Sequence, residues 1–338
     1  MKPIASHTKQ GKFCMPKAIQ LEKHGPASVM KWRDVTVGKP KKGEVHLRQN
    51  AVGLNYIDVY HRKGLYPMPM PLILGMEGAG VVETLGAGVT GFKIGDRVAY
   101  AAAPLGAYSQ ERLMPVASLV KIPDEIDDQT AAAMMLQGMT VHYLLHSTYK
   151  VKKGDTILVH AAAGGIGLIM CQWAKHLGAT VIGTVGSKMK ANLARAHGCD
   201  HTIDYNKQNF VDRVKRITKG AGVPVVYDSV GKDTFYGSLD CLSPRGVMAL
   251  FGNASGAVTT IDPNILAQKG SLYLTRPSLP HYVATRKDLT KRAQDLFRVV
   301  ASGAVKIQIN QTYALKDAAK AHRDLEARKT TGSTVLIP

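Results

Sequence analysis

The chain has 338 residues, 45% of them hydrophobic, and carries 44 lysines and arginines against 25 acids, a formal net charge of +19. That length can bury a large core and suggests about two domains, while no run approaches the roughly 18 uninterrupted apolar residues that a membrane span needs, so a soluble chain is expected. The positive excess attracts polyanions such as dinucleotides, nucleic acid or acidic lipid without choosing among them.

Residues Met1 to Phe13 are polar and basic and lack the apolar centre of a secretory signal. Export is not expected, and 1–14 reads as a disordered basic tail. Cys14, Cys171, Cys199 and Cys241 are dispersed with no C-x-x-C pair, a usage that fits free thiols in a reducing cytoplasm. From Lys17 to about Pro123 the chain is strand-rich with frequent Gly and Pro. Val45-His46-Leu47-Arg48, Val81-Val82-Glu83-Thr84-Leu85 and Arg97-Val98-Ala99-Tyr100 read as short strands separated by turns such as Gly86-Ala87-Gly88. Helices begin near Gln129.

After Lys153-Gly154-Asp155 comes an apolar strand, 156–160, that runs into Ala161-Ala162-Ala163-Gly164-Gly165-Ile166-Gly167. Ile166, Met170, Trp173 and Leu177 then recur at helical spacing, and Gly178 stands where a C-terminal cap belongs. Strand, glycine turn and helix in this order make a dinucleotide-binding turn: backbone N–H groups and the helix N-terminus face a pyrophosphate. Ala162 replaces the first glycine of the usual pattern, so the strand-helix context carries the reading.

Further strands are expected at 180–185, 201–203, 224–228, 246–252 and 271–276, with helices near 166–178, 188–197, 209–219 and 233–241. Such alternation implies an α/β fold, a doubly wound parallel sheet covered on both faces. A charged helix from Lys287 to Ser302 precedes a closing strand, Ser333 to Ile337, and this last stretch either extends the sheet or returns to the β-rich domain.

Coenzyme domains that prefer NAD place Asp or Glu at the end of the second strand to bind the ribose 2′-hydroxyl. Between Gly178 and Cys199 there is no acid; the strand runs instead into Gly186-Ser187-Lys188-Met189-Lys190. Hydroxyl and ammonium groups there suit a 2′-phosphate, and cations at a helix start need an anion nearby. NADP(H) is the expected coenzyme.

Gly75-Met76-Glu77-Gly78-Ala79-Gly80-Val81-Val82, Gly95-Asp96-Arg97-Val98 and the glycine turn together resemble the medium-chain dehydrogenase/reductase superfamily. Asn55-Tyr56-Ile57-Asp58, Val226-Tyr227-Asp228-Ser229-Val230-Gly231, Phe251-Gly252-Asn253 and Leu274-Thr275-Arg276-Pro277-Ser278 narrow the likeness to zinc-independent quinone oxidoreductases related to zeta-crystallin, over about Met15 to Pro338. The resemblance implies a β-rich GroES-like catalytic domain, 15–138 and 282–338, enclosing a Rossmann domain, 139–281. Zinc-dependent members carry G-H-E where this chain has Gly75-Met76-Glu77, and cysteine where it has Asn55. A thioether and an amide do not replace imidazole and thiolate as Zn²⁺ ligands, so no metal is expected.

By the same resemblance, Gly164, Gly165, Ile166 and Gly167 hold the pyrophosphate of NADPH, and Gly186, Ser187, Lys190, Tyr205 and Arg328 surround its 2′-phosphate. Asn253, Thr275 and Arg276 complete the coenzyme site. Asn55, Tyr60, Tyr66 and Thr140 line the nicotinamide and substrate cleft as the catalytic set. A homodimer joined through sheet edges near 246–252 and 271–276 is also implied. Without a Lewis acid, electron-poor quinones are the expected acceptors; placing the nicotinamide against the quinone in a dry cleft then does most of the catalysis. The alternative is an enal or enone reductase on the same scaffold. The zeta-crystallin group is also associated with RNA, but no RNA-recognition signature with interleaved aromatics is visible here.

Overall fold

Alternating apolar and polar residues build the first half as short antiparallel strands: β1 (Lys17–Leu21), β2 (Lys31–Asp34), β3 (Glu44–Leu54), β4 (Leu72–Ile73), β5 (Gly78–Leu85), β6 (Arg97–Tyr100), β7 (Glu111–Pro115) and β8 (Val120–Lys121), with helix α1 (Tyr56–Lys63) directly after β3. The structure is a computed structural model describing residues 15–338, so the expected tail lies outside the described residues. Helix α2 (Asp128–Tyr143) leads into a strictly alternating unit: β9 (Thr156–Val159), α3 (Gly165–His176), β10 (Thr180–Val185), α4 (Lys188–Ala196), β11 (His201–Asp204), α5 (Phe210–Ile217), β12 (Val223–Asp228), α6 (Phe235–Asp240), β13 (Leu242–Leu250), α7 (Asn264–Gln268) and β14 (Tyr273–Thr275). The chain closes with α8 (Leu279–Tyr282), α9 (Arg286–Ala301), β15 (Ile309–Ala314), α10 (Ala318–Glu326) and β16 (Ser333–Ile337).

The alternating unit forms a six-stranded parallel sheet in the order β11-β10-β9-β12-β13-β14. Read in order of appearance this is 3-2-1-4-5-6, the doubly wound arrangement whose ligands bind beyond the C-terminal strand ends. Its central strands are largely apolar runs, as a sheet covered on both faces requires. The first half supplies β2-β1-β4 and a larger sheet, β15-β16-β3-β5-β6-β8, with β7 also paired to β3. The closing segment therefore returns to the first half: Val335 of β16 pairs antiparallel with Gly53 of β3.

Helix α2 joins the two sheets. Between Ala131 and Tyr143 only Leu136 escapes full burial, so this stretch is buried around its circumference, polar Gln137, Thr140 and His142 included, and packs on β3, β5, β6 and β16 as well as on α3 and α9. Each of its fully buried methionines, Met134, Met135 and Met139, stabilises the junction by roughly 1.5–3 kcal/mol. Gly138 lets α9 approach closely, since a Cβ there would fall 2.5 Å from Leu296 Cδ1.

Candidate active site between the two sheets

The glycine turn follows β9. Ala161 takes a left-handed φ of 54° and Gly164 becomes the N-cap of α3, with no side chain capping the first helical N–H groups. Those groups are available to an anion, and the helix dipole favours one. A Cβ on Gly167 would lie 2.4 Å from Ala161 O, and one on Gly165 would lie 2.1 Å from Gln137 Oε1. Ala162, in place of the first glycine, is accommodated by its neighbour: a Cβ on Gly183 of β10 would fall 2.5 Å from Ala162 Cβ. The glycine has in effect moved to the adjacent strand.

At the end of β10, Ser187 caps α4 by accepting from Lys190 N at 3.2 Å. A Cβ on Gly186 would lie 2.5 Å from Tyr205 Oη, so the tyrosine lies across that turn, and Asn206 Nδ2 donates to Gly186 O at 2.8 Å. Lys190 Nζ reaches across to donate to Arg328 O at 2.8 Å. Burial, and then the Arg328 charge, hold the Lys190 ammonium below its usual pKa. Neither cation has an acidic partner among the described residues. Two neighbouring cationic residues without acidic partners, beside a hydroxyl and a phenol, fit a dianionic phosphate.

The C-terminal ends of β9, β10 and β12 are locked by a buried polar chain. Asp228 Oδ1 accepts from the N–H groups of Val230 and Gly231 at 2.8 and 3.0 Å, and Oδ2 accepts from Thr234 Oγ1 and Ser238 Oγ at 2.7 and 2.9 Å. Because Ser238 donates to Asp228, its oxygen accepts from His160 Nε2 at 2.9 Å, and His160 Nδ1 accepts from Thr184 Oγ1 at 2.9 Å. Burial lowers the His160 pKa, in keeping with a neutral ring.

On the opposite side, Asn55 caps α1. Its Nδ2 donates to Glu77 Oε2 at 2.6 Å, and its Oδ1 accepts from Gln137 Nε2 at 3.1 Å. Gln137 Oε1 accepts from Ser333 Oγ at 3.0 Å, and Glu77 Oε1 accepts from Leu136 N at 2.7 Å. Burial pushes Glu77 up to about 8, against the pull of these bonds. Asp58, which accepts from Asn55 N at 2.9 Å and from Tyr108 Oη at 3.0 Å, is pushed by burial to about 7. Met76 is buried beside Glu77, and among the described residues no three His, Cys, Asp or Glu side chains converge as a metal site.

Three tyrosines of α1 and its following loop meet the loops after β13 and β14. Ring centroids of Tyr56 and Tyr60 are 5.4 Å apart, and those of Tyr60 and Tyr66 are 5.7 Å apart, edge to face. Tyr60 Oη accepts from Asn253 N at 2.9 Å, and Tyr56 Oη donates to Ala254 O at 3.3 Å. With its amide turned to satisfy its neighbours, Asn253 donates to Gly252 O at 3.0 Å and accepts from Arg276 Nη2 at 3.2 Å. Arg276 Nη2 also donates to Tyr66 Oη at 3.3 Å. Burial raises the Tyr60 pKa further above the phenol range, which keeps it protonated.

Two family models match the chain: an alcohol dehydrogenase GroES-like domain over residues 41–124 and a zinc-binding dehydrogenase over 165–297. Quinone oxidoreductase from Pseudomonas aeruginosa is 54% identical over 325 residues, covering 96% of this chain and 100% of that protein. The chain belongs to the zeta-crystallin-like quinone oxidoreductases of the medium-chain dehydrogenase/reductase superfamily. Another relative, 2-haloacrylate reductase from a Burkholderia species, is 48% identical over 96% of this chain and 99% of its own length. The crystal structure of Escherichia coli quinone oxidoreductase complexed with NADPH superposes with a TM-score of 0.94 at 49% identity, over 95% of this chain and all of that one.

In this member of the family the residues expected from sequence fall into two groups. Gly164, Gly165, Ile166 and Gly167 form the turn into α3, while Gly186, Ser187, Lys190, Tyr205 and Arg328 cluster past β10. Tyr60, Tyr66, Asn253 and Arg276 make the second group, with Thr275 ending β14 beside them. Asn55 is only 5% exposed and faces Glu77 and Gln137 rather than the tyrosines. Thr140, one turn past Gln137 on α2, is buried and makes no hydrogen bond to Tyr56, Tyr60 or Tyr66. Gln137, Ser333 and the His160 chain are not among the expected residues. No spacing in the sequence signals Gln137, Ser333 or His160, because Gln137–Asn55, Gln137–Ser333, His160–Thr184 and His160–Ser238 join segments far apart in the chain.

Proposed function

We propose that the protein is an NADPH-dependent quinone reductase working without zinc in the cleft between the α1 tyrosines and the loops after β13 and β14. The carrying observation is the donor set where zinc-dependent relatives bind metal: Met76 offers a thioether, and the Asn55 amide is engaged by Glu77 and Gln137. Such a site polarises no unactivated carbonyl, whereas a quinone accepts reducing equivalents without that help.

The backbone of Gly164, Gly165, Ile166 and Gly167 and the open N-terminus of α3 would hold the pyrophosphate. Gly186, Ser187, Lys190, Tyr205 and Arg328 would hold the 2′-phosphate, and Asn253, Thr275 and Arg276 would bound the nicotinamide end. Bound NADPH supplies the hydride. Tyr60, an acceptor from Asn253 N whose own O–H has no protein acceptor among the described residues, can donate to the quinone oxygen where charge develops. Asn55 and Thr140 form the inner wall.

Several assignments accompany this reading. Residues 15–138 and 282–338 form the catalytic domain around the coenzyme domain 139–281, supported by the return of β16 to β3. The protein is a homodimer joined along β14, the edge strand of the parallel sheet, where Tyr273 is 62% exposed; light scattering giving only a monomer would overturn that. It is cytoplasmic, in keeping with free, buried Cys171, Cys199 and Cys241.

The test is a substrate panel with NADPH and NADH side by side. NADPH-linked reduction of a benzoquinone or naphthoquinone is expected, and its absence would reject the reading. The 48% identity to 2-haloacrylate reductase favours one rival, a reductase of activated double bonds; NADPH oxidation by an alkenal but not by a quinone would select it.

A further inference from the structure

Arg276 leaves β14 at the cleft and is in no ion pair among the described residues. Its guanidinium makes three contacts, all to neutral oxygens and all long for a charged donor: Tyr66 Oη at 3.3 Å, Asn253 Oδ1 at 3.2 Å and Pro277 O at 3.4 Å. Its Nε has no partner among the described residues. Its neighbours do not neutralise it, because Tyr60 is held as a neutral phenol. Its side chain is exposed to solvent at the mouth of the cleft, held there by Tyr66 and Asn253.

This cation is separate from the phosphate pair. Lys190 follows β10 and Arg276 follows β14, four strand positions apart in the sheet, a span of about 19 Å at the usual strand spacing. A single 2′-phosphate therefore cannot serve both.

We infer that Arg276 anchors a carboxylate on the electron acceptor. The cleft then selects acceptors in which a carboxylate is conjugated with the reducible C=C, whether in a quinone ring or in a short 2-substituted acrylate. A guanidinium fork pairs with a carboxylate in two parallel bonds, fixing the plane of the acceptor as well as its position. The net charge of +19 adds long-range attraction for such anions. This inference rests on the reductase reading above, adds the substrate class, and assigns Arg276, placed there at the nicotinamide end, to the acceptor instead of the coenzyme.

The experiment measures kcat/KM at saturating NADPH for two acid and methyl-ester pairs: 1,4-naphthoquinone-2-carboxylate with its ester, and 2-chloroacrylate with its ester. The ester is intrinsically the better electrophile, so the readout is the acid-to-ester ratio in wild type relative to R276Q and R276K. The ratio is expected to fall about 10- to 100-fold in R276Q and to recover partly in R276K, which restores the charge without the fork. The pair that shows the fall identifies quinone or acrylate as the acceptor. An unchanged ratio in both pairs, with wild type reducing the esters, overturns the inference and leaves the reductase reading standing. A loss shared equally by acid and ester, with a raised KM for NADPH, makes Arg276 a coenzyme residue and also overturns it. If wild type reduces neither member of either pair nor a simple quinone, the reductase reading fails and the inference falls with it.

Discussion

Single side chains decide two properties of this molecule. Lys190 and Arg328 lie together with no acid paired to them among the described residues, so each is expected to contribute mainly to NADPH over NADH. Lys190→Ala and Arg328→Ala should raise KM for NADPH about 10- to 100-fold and leave KM for NADH within about 2-fold, read by steady-state kinetics with both coenzymes. Glu77 governs pH dependence. Its folded pKa, about 8, lies above the ordinary 4.5, so the folded state holds an extra proton between those values. The resulting stability is fully present below about 4.5 and is lost as pH rises through 8. Glu77→Gln should remove up to ~1.4 kcal/mol per pH unit of slope across that window, whatever its offset in absolute stability, as measured by urea midpoints from pH 5 to 8. Ser187 and Lys190 are expected at a 2′-phosphate because an acid is missing where NAD sites carry one, whereas Tyr205 and Arg328 come only from the family resemblance. Gln137 is not: a glutamine inside an apolar helix carries no mark of the two partners it finds, Asn55 and Ser333.

Among the elements, the parallel strands are the easiest to read. Strands expected at 180–185 and 156–160 appear as Thr180–Val185 and Thr156–Val159, since a strand buried on both faces is a β-branched and largely apolar run. The fifth strand, expected at 246–252, occupies Leu242–Leu250. Pro244 and a left-handed Arg245, φ 60°, obscure its start, and the ladder with β12 absorbs them through a register irregularity. Nothing in the sequence singles out β1, β2 or β7, because short, mixed segments such as Lys17–Leu21 acquire their strand identity from partners. The displaced glycine of the coenzyme turn yields a prediction at this scale. Gly183→Ala should destabilise the protein by ~1–3 kcal/mol, because the new methyl meets Ala162 Cβ and Cys199 Sγ at 2.5 and 2.6 Å. Adding Ala162→Gly should restore part of the loss in thermal unfolding, and no recovery would refute the compensation.

At the scale of the whole molecule, periodicity leaves open where the last stretch of chain goes, and only the family resemblance implies its return to the first half; the β16 to β3 ladder shows that return. Strand β16 does more than close a sheet. Just before it, Gly332 N donates to Ala163 O at 3.1 Å and Gly332 bridges to Gly164, while Ser333 Oγ donates to Ala133 O and Gln137 Oε1, both at 3.0 Å. The glycine turn before α3 is thus stitched to the strand that pairs with β3. If NADPH occupies that turn as proposed, its binding is expected to spread protection from solvent exchange along this connection. Adding NADPH should slow amide deuterium uptake in β16 and the paired end of β3 together with the glycine turn, while β2, on a separate sheet, exchanges as before. That outcome would make β16 a mechanical tie, with occupancy at the turn registered as rigidity in the sheet of β3.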